Sequence, residues 1–580
     1  MRAIIALIAR ILQGLLDAIA AILGLYYTTK YATLARRLGL PRVPHSNRRG
    51  FVIIQIDGLS HDGLCAAMER GYAPYLARLL RRGEFALQPW RVGLPSNTVA
   101  VQAGIMFGRS DEIPAFRWYD KRSGQMVTCA LPSVAHAIQQ RLSRQATGIL
   151  RGGSSFMNML DGDASMAMFT LGAFFRRKRF FENVRGAGFF LLFLLNPLRS
   201  AKTLLLAIWE YLTDLTQRTW ATLRKRTPRP LGRIFPFLRV MSNVVLREIQ
   251  TFAVLMDIYR GVPAIYTTYF GYDEVAHHYG ILSKPALRAL HAIDARIRRI
   301  DGFRRLALTR EYDLYVLSDH GMTSGEPFRL AYGQTLGEVL RDLAGRSVAL
   351  SESLGASRQE VFSAVYLQDE LEAIAANVRS SLAAIPERLR AFAAKRVALR
   401  EDDPPPDLSR RLDLVVRDSG PMSHVYFNLR EEQLDLGQIM ASWPVLISGL
   451  LAHPGIWCVI GREGEQTVIL GREGVLSLDG DSYSVEGVDP LSSLPDPRWA
   501  AEQLRRVARY ANAGDLILMG RYDPHNETVA CFEEQWACHG GLGGAQQQAF
   551  LLSEARLGWN LSAVRQADDL YPLFMRRYAA

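Results

Sequence analysis

Apolar residues in this chain fall into short, nearly unbroken runs separated by longer stretches in which they recur every three or four positions. FVIIQID (51–57), AMFTL (167–171), PAIYTTYF (263–270), YDLYVLS (312–318) and DLILMG (515–520) are rich in β-branched and aromatic residues. Such short runs, apolar on both faces, predict strands covered on both sides. Residues 62–82 and 284–306 carry helical spacing instead. Strands alternating with helices predict an α/β chain with a largely parallel central sheet flanked by helices. In such sheets reactive groups sit just beyond the carboxyl ends of the strands.

The rest of the pattern divides the chain. Residues 150–250 read as an insertion, basic and rich in Phe, Leu and Arg, with its helical part over 175–250. Short strands with turn signals between 422 and 480 (HVYFNL, WCVIGRE, TVILGRE) predict a small α+β subdomain. REDDPPPDLSRR (400–411) reads as a surface loop or linker. The expected organisation is a segment 1–48, a core part 49–330 holding the insertion, a helical linker and subdomain over 331–505, and a second core part 506–580.

Two segments raise the question of a membrane. Residues 3–27 are mostly apolar but contain Arg10, Gln13 and Asp17. A spanning helix needs roughly 20 apolar residues with few charges, so an interfacial amphipathic helix fits better. Residues 28–50 add six Lys and Arg and no acid, which favours an anionic leaflet. No small-residue cleavage site follows, so no removable leader is read. GAGFFLLFLLNPL (186–198) and TLLLAIWEYLTDL (203–215), bracketed by RRKR (176–179) and RKR (224–226), fit a buried helical hairpin or a membrane-dipping one. Two segments with one signature favour membrane association, the side being left open.

Composition narrows the classes. With 49% hydrophobic and 22% charged residues the chain can bury a core, which excludes global disorder. A formal charge of +12 points to anionic partners. No helix-turn-helix, finger or ribonucleoprotein-type motif accompanies it, which sets nucleic acid aside. Five cysteines make no disulfide framework. Cys531 and Cys538 could pair in an oxidising compartment, and two buried thiols fit equally well.

Candidate chemistry lies where strands end. Asp57 leaves its strand into Gly58, a position that suits a metal ligand, a ribose-binding carboxylate or a helix cap. In GLPSNTVAVQAGIMFG (93–108) a helix is expected to begin near Thr98. A hydroxyl there meets unpaired N–H groups and the positive dipole end, suited to an alkoxide and a phosphate. A plain N-cap role for Thr98 or Ser96 stays open. Asp273 and His277 in YFGYDEVAHHYG (269–280) share a helix face and can grip one ion, while His278 points about 100° away. Asp319 and His320 in LYVLSDHGM (314–322) end an apolar strand, where an adjacent acid and imidazole suit metal ligation far better than packing. His539 in QWACHGGLGG (535–544) precedes glycines that allow close backbone approach.

Taken in order, these segments resemble the alkaline phosphatase superfamily, and within it the type I phosphodiesterase/nucleotide pyrophosphatase family. A strand-ending Asp57, Thr98 within PSNT, Asp273 with His277, Asp319 with His320 in SDHGM, and His539 in CHGG follow the family's order. The resemblance covers roughly residues 50–330 and 420–560 and implies an alkaline-phosphatase-like fold. It also implies two divalent metals, zinc with manganese as the second fit. One would be held by Asp57, Thr98, Asp319 and His320, the other by Asp273, His277 and His539. Thr98 would attack phosphorus and form a phosphothreonine that water hydrolyses, with the two ions clamping the attacking and leaving oxygens.

One departure stands out. Family diesterases place an asparagine downstream of the nucleophile to hold a phosphate oxygen, and IPAFRWYDK (113–121) has none. Arg117 there and Asn158 in GGSSFMNMLDGDA (152–164) are the candidate substitutes, which leaves monoester against diester open. The leading expectation is a metal-dependent hydrolase of phosphoric esters acting on a phosphorylated small molecule or a lipid-linked substrate. The alternatives are a lipid-linked phosphoglycerol or phosphoethanolamine transferase of the same superfamily, and a non-catalytic membrane-surface scaffold. Every expected ligand position is filled, which counts against the scaffold.

Overall fold

FVIIQI folds as strand β1 (Gly50–Ile56), every residue of it buried. The computed structural model describes residues 47–173, 246–306, 309–345, 348–352 and 412–578, with positions 205, 208, 216 and 244 singly. Six more strands complete the central sheet: β2 (Phe85–Arg91), β3 (Ser154–Phe156), β4 (Met166–Met168), β5 (Ala264–Tyr269), β6 (Tyr312–Leu317) and β7 (Gln548–Glu554). Their order is β2–β7–β6–β1–β5–β3–β4. β6, β1, β5, β3 and β4 run parallel, whereas β7 is antiparallel to both its neighbours. The sheet is therefore largely parallel, as the apolar runs predict, with one reversed strand near its edge.

Helices flank this sheet and share its core. They are α1 (His61–Glu69), α2 (Pro74–Arg81), α3 (Thr98–Phe107), α4 (Pro132–Gln145), α5 (Arg247–Arg260), α6 (Gly271–Tyr279) and α7 (Lys284–Arg304). The stretch 62–82 is two helices rather than one. Gly71 takes a left-handed φ of +77° and Pro74 opens the next helix, which neither residue allows inside a continuous one. AMFTL is a strand only through Met168, because Phe169 turns to φ +52° and a 3₁₀ turn, Leu171–Ala173, follows.

A second sheet of eight strands spans Leu350–Glu352 to Ser482–Gly487 and carries HVYFNL, WCVIGRE and TVILGRE. It also claims DLILMG. Leu516–Gly520 lies antiparallel between Met422–Phe427 and Ile456–Glu463 and belongs to this sheet, not the central one. Leu516 and Leu518 enter one core and Ile517 and Met519 another. The apolar run signals burial on both faces but does not say in which sheet. Residue 505 is accordingly no boundary of this sheet.

A small four-stranded sheet joins the two parts. Thr323–Pro327, just after SDHGM, pairs on one side with Thr528–Cys531 and on the other with Ala537–Cys538. Cys531 and Cys538 pack with Val529 as free thiols. Among the described residues no helix is long and apolar enough to cross a membrane. The segments 3–27 and 186–198, the linker 400–411 and nearly all of 203–226 lie outside the described residues.

Candidate active site

The carboxyl ends of β1, β5 and β6 converge with the first turn of α3. Asp57 follows β1 directly, and its N–H donates to Tyr269 O at 3.2 Å, which sets the turn out of the sheet. Gly58 has φ +73°, and a Cβ there would lie 2.5 Å from Asp273 Oδ1. The position needs glycine for both reasons. Its N–H donates to Asp319 Oδ1 at 3.3 Å, so one turn brings Asp57, Asp273 and Asp319 together.

Thr98 is the first residue of α3, and Asn97 is the cap, its side chain accepting from Ala100 N at 3.0 Å. The cap role thus falls to Asn97 and frees the threonine hydroxyl for other partners. Thr98 Oγ1 lies 3.2 Å from Asp57 Oδ1 and 3.3 Å from His320 Nε2.

The three histidines are held the same way. Nδ1 of His277 is 2.7 Å from Ala537 O, Nδ1 of His539 is 2.8 Å from Ser96 O, and Nδ1 of His320 is 3.1 Å from Gly321 O. A carbonyl only accepts, so each Nδ1 carries the proton and each Nε2 of the neutral ring presents a lone pair. His320 Nε2 lies 3.5 Å from Asp57 Oδ1 and 3.4 Å from Asp319 Oδ2. His277 Nε2 lies 3.4 Å from Asp273 Oδ2, and His539 Nε2 3.9 Å from Asp273 Oδ1.

Ligating atoms gather into two groups. Those of Asp57, Asp319 and His320 lie within 4.8 Å of one another, as do those of Asp273, His320 and His539. His320 stands in both, so the division expected from the family order is blurred at this one residue. His277 joins through Asp273, whereas His278 is in neither group.

Does this set suit divalent cations? Asp57, Asp273 and Asp319 are 0%, 6% and 0% exposed, and buried carboxylates need compensating charge. Asp273 Oδ1 is buried and accepts no hydrogen bond. Burial opposes the charge of Asp273, yet His277, then His539 and His320, outweigh it and hold the carboxyl well below the ordinary range. Burial, then the charge of His320, pushes His539 well below the usual imidazole value. Burial likewise opposes the charge of His277, but the Asp273 carboxylate more than offsets it and raises that imidazole. Oxygen and imidazole donors without thiolate fit zinc or manganese.

The two expected phosphate groups are placed elsewhere. Asn158 is fully buried behind the site, donating to Ser155 Oγ at 2.7 Å and Tyr266 O at 3.2 Å and accepting from Thr268 Oγ1 at 2.5 Å. Its amide is committed to the core network that locks α3 to β5 through Gln102, so it is not a phosphate ligand. Arg117 ion-pairs with Glu533 and reaches Asp418 O at 3.4 Å. Glu533 also accepts from Gly420 N at 2.9 Å, against the backbone of His539, so Arg117 sits a layer behind that ligand.

Some positioning residues escape sequence reasoning. Ser96 Oγ accepts from Gly540 N at 3.1 Å and donates to Gly541 O at 3.3 Å, while its carbonyl holds His539. Gln546, fully buried, ties Gly541 N, Leu542 O and Gly543 O together. The one signal was a polar AQQQ directly after the glycine run, too general to assign.

A sequence model of the family described as Type I phosphodiesterase / nucleotide pyrophosphatase matches residues 203–428, which include Asp273, His277, Asp319 and His320. That stretch of the chain is similar to this family. No curated protein sequence matches this chain. Among solved structures it is similar to phosphonoacetate hydrolase from Sinorhizobium meliloti 1021 in complex with phosphonoformate, at 14% identity and TM-score 0.41, covering 93% of this chain and 96% of that one. It is also similar to murine ectonucleotide pyrophosphatase / phosphodiesterase 5 in complex with AMP, at 10% identity and TM-score 0.43, covering 92% and 95%. The human form of the latter aligns at 11% identity and TM-score 0.40, over 91% and 94%.

Proposed function

We propose that this protein hydrolyses phosphodiester or phosphomonoester bonds through a phosphothreonine on Thr98, at a site built for two divalent ions, zinc by its donor set and manganese as the second fit. The observation that carries the reading is the place of Thr98 Oγ1, at a helix N-terminus and within 3.3 Å of both Asp57 and His320. The ligand groups Asp57, Asp319 and His320, and Asp273, His277 and His539, would hold the ions. When bound, such ions supply charge neutralisation for the attacking and leaving oxygens.

The chain's own residues do the rest. The N-terminus of α3 presents N–H groups and its positive dipole end to the phosphoryl oxygens. Thr98 Oγ1 forms a bond to phosphorus as the bond to the leaving oxygen breaks, and its proton passes to Asp57 Oδ1, 3.2 Å away. The leaving oxygen takes up the proton from Asp57. Water then attacks the phosphothreonine, and the bond from phosphorus to Thr98 Oγ1 breaks as Oγ1 takes a proton from that water. Phosphate, or a phosphomonoester from a diester, is released. The Nδ1 anchors fix the imidazoles throughout, so no reorganisation accompanies the charge changes. Phosphorylated small molecules are the substrates, and membrane association is proposed on the segments 3–27 and 186–215.

Purified protein assayed with zinc or manganese on bis-p-nitrophenyl phosphate and p-nitrophenyl phosphate tests this. Metal-dependent release of nitrophenol, abolished by Thr98→Ala and by a chelator, is expected, and the preferred substrate separates diesterase from monoesterase. Absence of turnover from folded, metal-loaded protein would end the hydrolase reading and favour the lipid-donor transferase.

A further inference from the structure

Asn97 is 1% exposed, stands directly before the nucleophile, and its Nδ2 has no hydrogen-bond partner. The orientation of this amide is fixed. Its Oδ1 accepts from Ala100 N at 3.0 Å, and an NH₂ group turned into that place would face a donor with a donor. Nδ2 is therefore the other arm of the amide whose Oδ1 caps α3, on the residue directly before Thr98. A buried amide donor left without an acceptor is costly, so its retention points to an acceptor supplied from outside the chain.

We infer that Asn97 is a catalytic residue whose Nδ2 donates a hydrogen bond to a non-bridging oxygen of the phosphoryl group held at Thr98. The acceptor class follows from the surroundings. Buried carboxylates and imidazole lone pairs on the neighbouring ligands repel a bare anion, so the anion has to arrive together with the cations they bind. An oxygen at the mouth of α3 then meets Nδ2 and the helix N–H groups at once, a set of donors already in place before charge builds there. The other two candidate donors are committed elsewhere: Asn158 to the core network and Arg117 to Glu533. The cap and the donor are thus two ends of one side chain, and substitutions can separate them.

The inference rests on the phosphohydrolase reading, and Asn97→Ser tests it because serine keeps the helix cap but removes the donor. With zinc-loaded protein, bis-p-nitrophenyl phosphate and inorganic phosphate as the inhibitor, kcat/KM of Asn97→Ser is expected to fall on the order of 10²-fold and phosphate inhibition to weaken, at unchanged metal content and melting temperature. Wild-type kcat/KM and phosphate inhibition in folded Asn97→Ser would overturn the inference while leaving Thr98 and its ligands in place. Asn97→Asp, isosteric and equally able to cap, covers the case in which the serine variant does not fold. It is expected to lose at least as much activity, and full activity in it overturns the inference equally. Wild-type and Thr98→Ala protein run alongside separate the two claims: hydrolysis unaffected by Thr98→Ala sinks the nucleophile assignment and this inference together.

Discussion

His320 and His539 lie face to face, with ring centroids 3.8 Å apart and planes 16° from parallel. One imidazole follows β6 and the other comes from the glycine-rich segment before β7, and both turn Nε2 towards buried carboxylates. Two stacked imidazolium ions would repel, so this arrangement belongs to rings with a lone pair to give.

The first expectation concerns metal removal. Protein stripped by a chelator should unfold at lower temperature, because three buried carboxylates lose their compensating charge. Zinc at a hundred times its dissociation constant should restore about 2.7 kcal/mol. Binding should also weaken as pH falls, since protons compete for the same Nε2 atoms. Differential scanning fluorimetry against zinc concentration at two pH values checks both, and a melting temperature indifferent to zinc would contradict the ligand set.

A second concerns His424, far from the metal ligands in sequence. Its Nδ1 accepts from Gly514 N at 2.9 Å and its Nε2–H donates to Pro114 O at 3.2 Å. Burial above all holds it at about 4, against an ordinary 6.5. The folded value is the lower one, so the unfolded chain binds the extra proton first. The stability from His424 is fully present above pH 6.5 and drains away as pH falls towards 4, in total on the order of 3 kcal/mol. His424→Gln should flatten the slope of urea midpoint against pH in that window, and an unchanged slope would place the titration elsewhere.

Ser96→Ala removes the hydroxyl that ties down Gly540 and Gly541. The expected cost is about 1–3 kcal/mol in stability, with zinc affinity reduced through a looser His539. Turnover at saturating zinc should return to near the wild-type rate, since the hydroxyl touches no reacting atom. Titrating activity against zinc distinguishes this from a loss of the chemistry.

Gly58→Ala should be harsher. The left-handed backbone alone costs on the order of 1–2 kcal/mol with a Cβ, and that carbon would press on Asp273 Oδ1 from 2.5 Å. Both the melting temperature and the zinc content of the purified variant should fall. A fully metallated Gly58→Ala protein would mean that the turn has room to move.

Flotation with vesicles tests membrane association. Protein carrying residues 1–580 should float with vesicles containing phosphatidylserine, less so at high salt, and not with purely zwitterionic ones. Failure to float with anionic vesicles would remove the membrane from the reading.

Much of the core was legible because its strands are covered on both faces, which leaves an unmistakable apolar run at β1, β5 and β6. β7 and β2 were missed. FALQPWR lies at the sheet edge, half-enclosed, and mixes polar with apolar residues, whereas QAFLLSE is buried between β2 and β6 but opens on Gln548 and closes on Ser553 and Glu554, which shortens its apolar run. The candidate ligands stand out in the sequence because Asp57, Asp319, His320 and His539 follow strands close to glycines and Asp273 stands in the first turn of α6. Asn158 joins a core network instead of the site, a difference the sequence does not carry because a buried amide serving either has the same local surroundings. Ser96 and Gln546 act through backbone groups hundreds of residues away in one case and a few in the other, and neither pattern repeats.

β7 sits between β2 and β6, although its residues 548–554 follow β6 only after the whole second sheet. During synthesis the ribosome releases β1, β5 and β6 long before this strand and long before His539. Until then β6 lacks its neighbour on that side and the nascent chain lacks one imidazole of the stacked pair. A product cut short before residue 539 therefore lacks both this imidazole and the strand that pairs with β6.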